Sequence, residues 1–270
     1  MVKTAKLYLQ GAFVRSESGR VYRPQLNVNV PRASRKDLRE AVRLARAALP
    51  SWSARTAYNR GQVLYRVAEM LDARRAEFVG IIGGGRAAGR EVDAGVEALV
   101  FFAGAADKLA QLGGSVNSVA GPYFNFTMPE PMGVVAVVAP EVAGLRLMLV
   151  HLAAALCGGN TAVLLVAESS PLSGLLLGEV LATGDVPAGA VGLLSGLRHE
   201  LLPWIGAHRD IDAIDAVGCT AAELGELQLL AADSVKRVLP PARAGSRAHL
   251  NPRLPLETME LKTVWHPVGV

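Results

Sequence analysis

Cys157 and Cys219 are the only thiols among 270 residues. A thiol attacks a carbonyl as the thiolate, which a helix N-terminus or a neighbouring cation favours. Cys157 ends an apolar run before Gly158-Gly159. At that helix C-terminus the dipole disfavours the thiolate, so core packing is the expected role. Cys219 sits in Gly218-Cys219-Thr220, ahead of a helical stretch, with no histidine near it in sequence. The turn could offer backbone N–H groups and a hydroxyl to a phosphate. Spacing alone favours the plainer reading, an N-cap on Thr220. Glu168 follows an apolar run, where dinucleotide folds place an acid against a ribose hydroxyl; a solvated surface acid is the alternative. Asp210, Asp212 and Asp215 read as surface charge around a short strand.

Other chemistries lack their residues. The five histidines are scattered, with no His/Cys cluster at metal-ligand spacing. The sequence has no G-x-G-x-x-G, no phosphate-loop lysine and no G-x-S-x-G. Gly83-Gly84-Gly85-Arg86 follows a helical pattern and reads as a turn. Two cysteines without C-x-x-C predict reduced thiols in a cytosolic protein.

The elements that must position these residues follow from periodicity. Residues 6–15 alternate apolar and polar, SESG turns, and alternation resumes, which predicts a β-hairpin or ribbon. Ser34 with Asp37 is an acidic capping box. It opens a helix marked by Leu38, Val42, Ala45 and Leu49 and ending at Pro50. Helices are predicted over 56–78 and 90–112. An aromatic extended segment carries Tyr123, Phe124, Phe126 and Met128. Then come unbroken apolar runs at 133–139, 161–166 and 190–194, each fitting a strand buried on both faces. Helices at 145–156, 171–181 and 200–207 alternate with them, and a short strand at 211–217 follows. This is the pattern of an α/β, Rossmann-like parallel sheet with flanking helices, whose ligands bind at the carboxyl ends of the strands. Residues 240–255, rich in Pro, Gly and Arg, predict a linker. Alternation over 256–265 predicts a last edge strand.

Hydrophobic residues make up 51% and charged residues 19%, enough to build a core and to exclude a wholly disordered chain. The net charge of +4 is spread without a dense basic run, so a nucleic-acid partner is not expected. The N-terminus lacks the apolar core of a secretory signal, and no apolar stretch reaches the ~20 residues that span a bilayer. A cytoplasmic protein without membrane contact is the expectation.

Assembled, these segments resemble the aldehyde dehydrogenase superfamily over roughly residues 6–239. The carriers are KLYLQGAFVRSESGR, the helical pair beginning LREAVRLARAALPSW, and EVDAGVEALVFFAGAADKL. After them come YFNFTMPEPMGVVAVVAP, LAAALCGGNTAVLL, ESSPLS, VPAGAVGLLSG and DIDAIDAVGCT, in the family's order. The resemblance implies cofactor contacts at Pro140, Glu168, Gly218, Cys219 and Thr220. It also exposes departures. Where the family follows its Ala-Pro turn with tryptophan and an oxyanion-stabilising asparagine, this chain has Glu141 and Val142. Its ribose-binding lysine and following proline are Leu165 and Val166 here. Its Glu-Leu-Gly-Gly general-base motif is replaced by Leu239-Pro240-Pro241-Ala242, and the cysteine-bearing catalytic domain expected next is absent. LETMELKTVWHPVG resembles the family's C-terminal oligomerisation strand. The layout is similar to the degenerate second module of the tandem aldehyde dehydrogenases of family sixteen.

The implied organisation is an N-terminal β arm (1–30), a Rossmann-like cofactor-type domain (31–239, with an arm strand at 121–132), a linker (240–255) and an oligomerisation strand (256–270). The implied function is a non-catalytic module that assembles with itself or with an active aldehyde dehydrogenase by β-strand addition. NAD(P) is expected to bind weakly if at all. Two alternatives are the cofactor half of an enzyme whose catalytic domain lies on another chain, and an NAD sensor without chemistry.

Overall fold

The computed structural model describes residues 3–24, 28–142, 144–241 and 250–269. The alternating N-terminal segment forms β1 (Lys3–Thr4), β2 (Leu7–Leu9) and β3 (Ala12–Val14). The β2–β3 hairpin closes at Gln10-Gly11, where φ is +52° and +75°, not at SESG. Two successive positive φ values match the strand twist, and Gly11 tolerates its own at no steric cost. SESG instead leads to β4 (Val21–Tyr22), which pairs with β5 (Val28–Pro31). β5 also pairs with β1, so these three strands make a small sheet of their own.

Ser34 caps α1 (Arg35–Ser53), and Asp37 returns a bond to the Ser34 N–H at 2.7 Å. The helix runs three residues past Pro50, because the Ala54 N–H closes onto the Pro50 carbonyl at 3.2 Å. The segment predicted as one helix over 56–78 is two, α2 (Ala57–Ala73) and α3 (Arg75–Ile82), broken at Arg74. α4 (Gly85–Ala105) begins five residues before its predicted start. A 3₁₀ turn separates it from α5 (Leu109–Gly113). β6 (Ser115–Asn117) and β7 (Tyr123–Pro131) follow.

The apolar runs then alternate with helices: β8 (Val134–Val138), α6 (Gly144–Cys157), β9 (Thr161–Leu165), α7 (Pro171–Thr183) and β10 (Val191–Leu194). After them come α8 (Arg198–Ala207), β11 (Ala213–Asp215), α9 (Ala221–Ala232), β12 (Arg237–Leu239) and the long β13 (Met259–Pro267). The strand expected at 211–217 is confined to three residues, and β12 had no clear sequence signal. The expected linker falls largely on 242–249, outside the described residues.

The central sheet has seven strands in the order β12-β11-β8-β9-β10-β2-β3. The first five are parallel, and the β2–β3 hairpin adds antiparallel strands beyond β10. Every residue of β8, β9 and β10 is buried, since helices cover both faces. Val135, Val137, Ala162 and Leu164 pack into a core with α2, α4, α6 and α7. Val134, Ala136, Val138 and Val163 turn to the other face, toward α1 and α8. At the amino ends of the strands, Asp212 accepts from the Val134 N–H (2.7 Å) and from Arg46 of α1 (2.6 Å), clasping that helix to the sheet.

A third sheet, ordered β13-β7-β6, stands apart. β13 pairs with β7 over nine residues, from Met259↔Pro131 to Pro267↔Tyr123. Residues 260–267 of β13 are all exposed, and β13 forms the sheet's outer edge.

Candidate functional site at the strand carboxyl ends

The chain passes from β8 outward to β10, then returns to the opposite side of β8 as β11. The carboxyl ends of β8 and β11 therefore flank the point where strand order reverses, the usual place for a ligand in an open α/β sheet. A crevice of about 490 Å³ lies there, lined by Tyr22, Glu141, Glu168, Arg198, Gly218 and Glu223 among others. Its floor is the meeting of two loops: a Cβ on Gly218 would lie 2.2 Å from the Ala139 carbonyl oxygen, so only glycine permits the approach. A wider groove of about 580 Å³ between α2 and α4 is open and lies away from the strand ends.

Thr220 is the N-cap of α9. Its hydroxyl accepts from the Glu223 N–H (3.3 Å), and the Glu223 carboxylate accepts from the Thr220 N–H (2.7 Å). The turn is thus a full capping box. Glu168 accepts from the Arg198 N–H at 2.8 Å, which satisfies the start of α8. Glu141 accepts from the backbone N–H groups of Glu168 (2.8 Å) and Ser169 (2.9 Å) and from the Ser169 hydroxyl. Pro140 is buried beside it.

Arg198 joins these groups. Its guanidinium donates to Gly218 O (2.6 Å), Ala139 O (3.3 Å), Glu141 (3.2 Å) and both oxygens of Glu223 (3.0 and 3.2 Å). The Arg198 side chain is only 11% exposed, against 34% for Glu141 and 23% for Glu223. Burial pushes the Glu141 carboxyl up, yet the bonds from Ser169, Glu168 and Arg198 outweigh it and hold its pKa below the ordinary value. Glu223 behaves alike: burial raises it, while the Thr220 N–H and the Arg198 charge bring it down on balance. Burial, then the charges of Glu168 and Glu141, raise the Tyr22 phenol, whose buried hydroxyl has no hydrogen-bond partner among the described residues.

Glu168, Gly218 and Thr220 line this crevice together, and Pro140 and Cys219 lie in the loops that form it. Cys219 itself is buried, and neither thiol lines the opening. Burial raises the Cys219 pKa to about 11 against the attraction of Arg198, so the helix N-terminus does not deliver a thiolate. Cys157 is pushed up to about 12 by burial, and its thiol donates to Phe102 O at 3.3 Å. The sequence reading missed Arg198 and Glu223. The spacing Thr220-x-x-Glu223 carries a capping-box signal that could have found the second. Nothing local announces Arg198, whose partners lie 20 to 59 residues away. Deeper in the core, His151 Nδ1 of α6 and Asp215 of β11 share a hydrogen bond at 2.5 Å. Among the described residues no group of His, Cys, Asp and Glu could hold a metal, and no helix is long and apolar enough to cross a membrane.

Comparison with known proteins agrees with this architecture. The model of the aldehyde dehydrogenase family matches residues 15–240. Retinal dehydrogenase 2 of Gallus gallus is 33% identical over 254 residues, which is 88% of this chain and 48% of that protein. Aldehyde dehydrogenase, cytosolic 1 of Elephantulus edwardii is 28% identical over 255 residues, 88% of this chain and 50% of that one. The NAD+ complex structure of the aldehyde dehydrogenase from Bacillus cereus superposes with a TM-score of 0.80 at 27% identity, covering 87% of this chain and 50% of that one. The chain thus spans about half the length of the curated relatives it matches. With its parallel sheet, its switch-point loops and the family pattern running from Arg15 to Pro240, this chain belongs to the aldehyde dehydrogenase family.

Proposed function

We propose that this chain is a non-catalytic aldehyde-dehydrogenase-type module that acts in assembly, pairing with a second copy or with an active family member through β13. The carrying observation is the edge of β13: nine residues of ladder on one side and, beyond Met259, no strand paired on the other among the described residues. Such an edge is a template for an added strand. Apolar side chains surround it. On the face shared by Phe124, Phe126 and Met128 lie Val116 and Val264, and Val116 is 72% exposed. The tip carries Trp265 edge-on to Tyr123 at 5.7 Å.

The chemistry of aldehyde oxidation supports the same reading. It needs an activated thiolate, a base and an oxyanion donor. Both thiols here are buried and raised in pKa, and Val142 offers no donor where the family carries asparagine. On this reading the layout is similar to the degenerate second module of the tandem family sixteen enzymes. A second reading, the cofactor half of an enzyme completed by another chain, is favoured by one observation: the matched relatives are about twice as long as the stretch covered here.

Size-exclusion chromatography with light scattering tests the proposal. The whole chain is expected to be oligomeric, or to form a stable complex with an active family member. Removal of 259–270 should give a smaller species. A monomer that ignores such a partner, or aldehyde turnover at ordinary dehydrogenase rates by the purified chain, would defeat it.

A further inference from the structure

The crevice at the switch point is where a dinucleotide's pyrophosphate would be held by backbone N–H groups at helix N-termini. Four backbone N–H groups, two in the loop ahead of α7 and one each at the starts of α8 and α9, face the chain's own carboxylates instead. The N–H groups of Glu168 and Ser169 donate to Glu141, that of Arg198 donates to Glu168, and that of Thr220 donates to Glu223. Glu223 places a negative charge at the positive end of α9, where a phosphate would otherwise be stabilised. Arg198, the one cation among the described residues that line it, has its guanidinium committed to Glu141, Glu223 and two carbonyls. Among the described lining residues, three carboxyl groups face one guanidinium.

We infer that this crevice is latched against dinucleotides: Glu141, Glu168 and Glu223 occupy four backbone donors at its rim, and the Arg198 guanidinium binds Glu141 and Glu223 together as an internal counter-cation. The residues present do not fit NAD or NADP. To enter, the pyrophosphate would have to displace carboxylates tied into the backbone of three loops, while meeting their charge in a partly buried site. Arg198 is then a masked phosphate ligand. Its fork of donors suits a phosphate, but two glutamates hold it first. The inference goes beyond the assembly reading and does not depend on it.

Calorimetric titration of the whole chain with NAD, NADP, ADP-ribose and adenosine tests the latch. The wild type is expected to show no saturable binding at millimolar ligand. Glu141→Gln with Glu223→Gln frees the guanidinium and removes two negative charges. That variant is expected to bind ADP-ribose and NAD at least about tenfold more tightly, with no gain for uncharged adenosine. Glu223→Gln alone preserves the capping of Thr220, since glutamine serves the same box, and keeps the test open if the double variant does not fold. Low-micromolar NAD binding by the wild type overturns the inference, and so does a folded variant that binds phosphate ligands no better than the wild type. Saturable NAD binding without aldehyde turnover would remove the latch and leave the assembly reading standing, because light scattering reads assembly separately.

Discussion

Replacing Arg198 with methionine keeps the aliphatic stem and removes the charge that holds the crevice together. Glu141 and Glu223 then face each other across a partly buried site without a cation, and the carbonyls of Ala139 and Gly218 lose a donor. Breaking a buried pair from one side costs about 3–5 kcal/mol. The glutamates retain some contact with water, at 34% and 23% exposure, which argues for the lower end, about 3 kcal/mol. For 270 residues, ~2.1 cal/mol/K per residue gives an unfolding entropy of about 0.6 kcal/mol/K. The expected fall in Tm is therefore about 5 °C. Differential scanning calorimetry at neutral pH, after a check that unfolding is reversible, measures it directly. Adding Glu141→Gln and Glu223→Gln to Arg198→Met should recover most of the loss, because neutral groups of similar volume can replace an ion cluster at little cost. An Arg198→Met melt within about 1 °C of the wild type, or a triple variant less stable than the single one, would refute the reasoning.

Other parts of the molecule give equally definite expectations. Gly218→Ala should destabilise by about 1–3 kcal/mol in urea titrations, because the new methyl meets the Ala139 carbonyl at 2.2 Å. Glu141 and Glu223 have folded pKa values below the unfolded ~4.3. Their contribution is fully present above that value and is lost as pH falls through the folded values; Glu223→Gln should flatten this acid limb of stability against pH. Thiol titration at pH 8 should find Cys157 and Cys219 slow to alkylate until the protein is unfolded, since burial raises them to about 12 and about 11. Burial lowers Lys236 to about 8, against the pull of Asp212, so an NMR titration of its side chain should show a midpoint near that value.

The parallel sheet was legible because β8, β9 and β10 are unbroken apolar runs that only two-sided burial explains. The Ser34–Asp37 box was legible because capping is a local exchange of two hydrogen bonds. β12 was not, since three half-buried residues carry no period. The hairpin turn was misplaced because SESG has the composition of a turn, whereas Gln10-Gly11 has its dihedral angles. At the candidate site, Glu168 and the Gly218–Thr220 turn could be found from their position after strands. Their use could not: what decides the character of the crevice is a cation brought in from the start of α8 by the topology of the sheet.

The clasp between Arg46 and Asp212 sits at the opposite end of the same strands from Arg198. A strand of five residues spans roughly 17 Å, about twice the distance over which physiological salt damps a charge. The sheet is riveted at both ends by separate fasteners. A substitution at the ligand end can therefore leave the far rivet, and the seating of α1 on the sheet, in place.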